Sequence, residues 1–71
     1  MHPTPRLLDV VALLVDLPDH GLQRGQVGTV VELLAGAFEV EFSDGEGRTY
    51  AQVALAPEQL LVLHYRPEQA A

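Results

Sequence analysis

Three groups of side chains in this sequence are of the types that chemistry uses. Asp16, Asp19 and His20 fall close together in DLPDHG. Carboxylate oxygens and an imidazole nitrogen are metal ligands, but a metal needs three or more that converge. His64 is far along the chain and His2 stands at its start. The segment reads instead as a solvated turn at Asp19-His20-Gly21 with an Asx-type hydrogen bond, and no metal is expected.

Glu39 and Glu41 alternate with apolar residues in AFEVEF, which puts both on one face of a strand, with Glu32 on the strand before it. Paired carboxylates do general acid–base work only in a cleft that pushes their pKa values apart. An exposed strand face supplies no cleft. Two readings follow: a solvated acidic face that resists edge-to-edge association, or a docking face for a basic partner.

Arg48-Thr49-Tyr50 follows a turn. Arg48 is expected to pair across the hairpin with Glu39 or Glu41, an exposed contact of about 0–1 kcal/mol. Tyr50 is expected on the surface near the long loop, where an aromatic ring serves peptide recognition in small barrels.

Gly25-x-x-Gly28 lacks the Lys-Ser/Thr of a phosphate loop, and a strand rather than a helix follows it. Gly25 is read as a turn glycine and Gly28 as the site of a bulge. Gly21, Gly45 and Gly47 are read as turn residues. No Ser-His-Asp or Cys-His set is present; Cys is absent, and Ser43 sits at a turn with no base beside it. The chain is not expected to be an enzyme or to carry a cofactor.

The elements that position these residues are short strands. LDVVALLV, Leu8–Val15, is apolar on both faces and rich in β-branched residues, so it reads as a strand that wants cover on both sides. Asp16–Gln26 is a loop in which Leu22 is the lone apolar plug. Val27–Leu34 is a second strand, its phase to be reconciled by the bulge at Gly28. Ala35-Gly36 turns the chain into the third strand, with Phe38, Val40 and Phe42 inward. Asp44-Gly45-Glu46-Gly47 is a hairpin turn leading to a fourth strand, Arg48–Leu55. Ala56–Gln59 is one helical turn, with Pro57 at its start, before a last strand, Leu60–Tyr65. The fold class expected is all-β: a small, strongly bent five-stranded barrel over residues 7–65, with a flexible lead-in over 1–6 and a flexible tail over 66–71.

The chain has 71 residues, enough for one domain. Such a domain buries only about 60% of its unfolded surface and is marginal without a staple. With 0 Cys, disulfides and thiolate zinc are excluded, which leaves self-association. Four basic residues, all Arg, against 10 acidic ones give a net charge of -6, which disfavours direct nucleic-acid contact. No apolar run reaches the ~20 residues of a membrane span, and nothing reads as a signal peptide, so a cytoplasmic location is expected.

This order of elements resembles the SH3-like barrels, and Gly25, Val27, Gly28, Val30 and Glu32, followed by Phe38, Val40, Phe42 and Gly47, resemble a KOW-type element. The layout Leu17-Pro18-Asp19-His20-Gly21-Leu22, Gly25 to Glu32, Glu39 to Phe42, Gly47 to Tyr50 and Leu60 to Leu63 is similar to a bacterial family of small domains of unknown function. The resemblance spans roughly Leu8 to Leu63. It implies a fold and a family; KOW elements contact RNA or partner proteins, and the charge here points to protein. The function expected is a non-enzymatic protein-interaction module that self-associates, through the first strand or the apolar face carrying Ala51, Val53 and Leu55. The alternatives are an acidic regulator or antidote occupying a basic, nucleic-acid-binding partner, and a metal or small-molecule accessory domain using His20.

Overall fold

A computed structural model of the chain describes residues 4–67. The lead-in and tail expected at the two ends lie partly outside the described residues. Five strands form one open antiparallel sheet: β1 (Val10–Leu13), β2 (Val27–Leu34), β3 (Ala37–Ser43), β4 (Thr49–Leu55) and β5 (Leu60–Val62). Their order across the sheet is β4-β3-β2-β1-β5, so β4 and β5 are its edges. No helix among the described residues is long and apolar enough to cross a membrane.

The inward side chains follow the period-2 rule. Val40 and Phe42 from β3, Val53 and Leu55 from β4, Val11 and Leu13 from β1, and Leu60 and Val62 from β5 make one core with Val30 and Leu22. Leu22 is the plug read from the sequence. It is held by the paired bonds Leu17 N to Leu22 O, 2.9 Å, and Leu22 N to Leu17 O, 3.1 Å. The expectation that Ala51, Val53 and Leu55 form a spare outward face is corrected: Val53 and Leu55 are buried and Ala51 packs against the core. On β1, Val11 and Leu13 enter the core cluster, Val10 and Leu14 are half-buried, and Ala12, though buried, is not part of that cluster. The apolar second face of the first strand is only partly covered.

The first strand is also shorter than Leu8–Val15. Leu8 has φ 70, which breaks the extended run. It sits in a turn closed by Asp9 N to Arg6 O, 3.0 Å, and by Arg6 N to the Asp9 carboxylate, 2.8 Å. The left-handed region costs a side-chain-bearing residue roughly 1–2 kcal/mol, and Leu8, 71% exposed, recovers little of that by burial. Leu8→Gly is therefore expected to raise stability by about 0.5–1 kcal/mol, read as a higher thermal midpoint; a lower midpoint contradicts the strain.

The bulge expected at Gly28 lies elsewhere. Val30 pairs with Val40 and Glu32 with Glu39, so Val31 is the extra residue. Gly28 is needed for closeness instead. A Cβ built there would lie 2.7 Å from Val40 Cγ1, 2.8 Å from the Glu41 carbonyl oxygen and 3.0 Å from Phe42 Cδ2. Gly25 keeps its role as a turn residue, with φ 93, and its N–H donates to Leu13 O at 2.7 Å. The segment between β1 and β2 holds a 3-10 turn, Pro18–His20, that was not expected; Gly21 ends it. The 3-10 turn before β5, Pro57–Gln59, is where the sequence places it, and the last strand stops at Val62 rather than Tyr65.

Candidate functional site

The outward face of the sheet is graded. Glu32 stands directly opposite Glu39, and Thr29 opposite Glu41; on the other side of β3, Gln52 stands opposite Glu41 and Ala54 opposite Glu39. These residues alternate with the core positions Val40, Phe42 and Val53, so they point away from the core. Gln52 Nε2 donates to the Glu39 carboxylate at 3.2 Å. Toward the other edge the face turns apolar: Ala12 lies between Val27 and Leu61. Val27 is 48% exposed and Leu61 38%.

Arg48 does not join this face. Its Nε meets the Asp44 carboxylate at 3.2 Å and its Nη2 the Glu46 carboxylate at 2.7 Å, so the pairing expected with Glu39 or Glu41 is corrected. The reason is local. Asp44 also accepts the backbone N–H of Glu46, at 2.9 Å, and of Arg48, at 3.0 Å, while Asp44 N donates to Arg48 O at 2.9 Å. The turn that contains Gly45 and Gly47 folds onto its own first residue and holds Arg48 there.

These bonds, led by the backbone N–H of Arg48, hold the Asp44 carboxyl below its ordinary value of 3.8. A lowered folded-state pKa means that the turn's stabilisation is present above the unfolded pKa and is lost as pH falls through the folded one. The Asp44 carboxyl is thus expected to titrate by NMR with a midpoint below 3.8, and Arg48→Ala to raise that midpoint; a native midpoint at or above 3.8 contradicts the geometry.

Tyr50 lies by the long loop, as expected. It is the extra residue between the pairs Phe42–Ala51 and Ser43–Thr49. Its ring is tilted against Phe42 with centroids 6.5 Å apart, and its hydroxyl accepts Gln26 Nε2 at 3.0 Å. Gln26 was not singled out from the sequence, because nothing in its spacing shows that it will meet β4. Asp19 and His20 are exposed on the 3-10 turn, and the Asp16 carboxylate accepts the backbone N–H of Arg24 at 2.8 Å. Among the described residues no three His, Cys, Asp or Glu side chains come together as a metal group would require. A shallow cleft of about 190 Å³ is lined by Leu63, His64, Tyr65 and Arg66.

Fold and face together define a small all-β domain: one open antiparallel sheet, a core on its inner side and an acidic-to-apolar outer side. The chain belongs to the family described as "Domain of unknown function (DUF4926)", whose model matches residues 7–62. Neither a curated protein nor a solved structure matches the chain.

Proposed function

We propose that this domain is a non-enzymatic, SH3-like protein-interaction module that associates with itself, in the cytoplasm of a bacterium. One observation carries the reading: Val27 and Leu61, on either side of the buried Ala12, leave apolar side chains in water on a domain with little interior to spare. The SH3-like part is supported by a strand order that seats β1 beside β5 and by the 3-10 turn that enters β5. The non-enzymatic part is supported by the separation of Asp19 and His20 from the glutamate face and by a cleft smaller than the roughly 300 Å³ of ordinary ligand sites. The net charge of -6 speaks against phosphate backbones as partners.

A second reading has its own observation. Glu32 directly opposite Glu39 is a like-charge pair, which costs roughly 0.2–1 kcal/mol in a sheet, and a basic partner would relieve it. Light scattering over a concentration series tests the first reading: the mass should rise above the 7.7 kDa of one chain. A constant 7.7 kDa contradicts it. Salt-sensitive binding of a polybasic peptide tests the second; no binding at low salt removes it.

A further inference from the structure

We infer that the free edge of β4 is the surface through which two copies of this chain pair, antiparallel, about a two-fold axis beside Gln52. The inference rests on the self-association reading above and places a contact at the sheet edge farthest from the Val27–Ala12–Leu61 row. Among the described residues, no backbone N–H or C=O of Thr49–Leu55 takes a partner outside the ladder with β3. Every second residue of an edge strand turns those groups outward, so the edge is a fixed row of unpaired donors and acceptors.

Proteins ordinarily blunt such an edge with charge, proline, a bulge or brevity. The other edge of this sheet is treated in that way: β5 has 3 residues and runs on to His64, Arg66 and Pro67. β4 is not. Its sequence is TYAQVAL, 7 residues with no charge and no proline; its one irregularity is the bulge at Tyr50, and beyond it Val53 and Leu55 anchor the strand in the core. A long neutral strand anchored in the core is the geometry that accepts another strand.

The occupant that fits is a second copy. About a two-fold beside Gln52, Gln52 faces its own copy and Ala51 faces Val53, so no charge meets another along the regular part of the strand. Self-pairing must also overcome a net charge of -6 on each chain. The acidic side chains nearest this edge on the outer face, Glu39 and Glu41, stand one strand in, on β3. In the pair they lie three strand spacings, about 14 Å, from their copies, beyond the ~8 Å screening length at physiological salt. Two-fold pairing of one patch with itself is the commonest closed assembly, and it removes the edge from both chains.

Gln52 is exposed, so it can be changed without disturbing the core. Sedimentation equilibrium of the full chain, of Gln52→Lys, of Gln52→Glu and of the two variants mixed tests the inference, with thermal melting to verify that each is folded. The native chain should form a dimer. Each variant alone should dimerise at least about tenfold more weakly, because like charges meet at the axis, and the mixture should recover the dimer. A native dimer that persists in both variants, or variants whose mixture does not recover it, overturns the β4 pairing and leaves self-association standing. A native chain that is monomeric throughout overturns self-association and the edge with it.

Discussion

Replacing Gly28 with valine is expected to unfold the domain under conditions in which the native chain is folded. The Cβ alone would lie 2.8 Å from the Glu41 carbonyl oxygen and 2.7 Å from Val40 Cγ1. The first of these is backbone, so no rotamer change relieves it. Gly28 is buried between β1 and β3, opposite Val11, so the strand cannot move outward without opening both ladders. Overpacking a filled core costs about 1–3 kcal/mol for alanine, and more for the two further methyl groups of valine. A chain of this length has roughly 4–10 kcal/mol in total. Gly28→Ala should therefore lower the thermal midpoint by on the order of 10 °C, and Gly28→Val should leave no cooperative transition. Unchanged midpoints would mean that the close approach of β2 to β3 is wrong.

Phe42→Ala is the second large effect. Phe42 is 0% exposed, the largest fully buried side chain among the described residues, and its ring is also the wall against which Tyr50 leans. Truncating a buried phenylalanine costs about 3–5 kcal/mol, the lost transfer energy plus the cavity that remains. That is most of the stability available to a domain of this size. Tyr65→Ala is the control: at 82% exposed, the ring should change the midpoint by no more than the ~0.5 kcal/mol of ordinary surface substitutions. Equal midpoint losses for the two variants would contradict the assignment of the core.

Much of this was legible in the residues, and the parts that were not have identifiable causes. The third strand alternates without interruption, so Phe38, Val40 and Phe42 against Glu39 and Glu41 could be read directly, and the structure keeps that division. The second strand was placed over the residues it occupies, but its phase was not. A period-2 reading assumes that no residue is inserted, and Val31 is one. The glycine beside it drew the bulge to the wrong position, because glycine serves both bulges and close approaches and the sequence does not say which.

Arg48 shows a second limit. Cross-strand distance makes Glu39 and Glu41 reasonable partners, yet the turn closes on Asp44 first, and a local contact needs no pairing register to form. The fourth strand shows a third. Assigning Ala51, Val53 and Leu55 to a spare face required counting the inner positions already filled, and that count depends on which face of β1 turns inward. Gln26 and Tyr50 are 24 residues apart, and only the placement of the loop against β4 brings them together. The open edge itself was not readable at all, since an edge is a property of strand order.

The measurement that bears most directly on the interaction account is amide hydrogen exchange on the native chain at micromolar and millimolar concentration. In one copy alone, alternate amides of Thr49–Leu55 have no partner among the described residues and should exchange freely, while those bonded to β3 are protected. The free set is expected to gain protection as concentration rises, with β5 unchanged. Protection independent of concentration would contradict self-association, and a gain confined to the amides of Leu60–Val62 would contradict the β4 pairing.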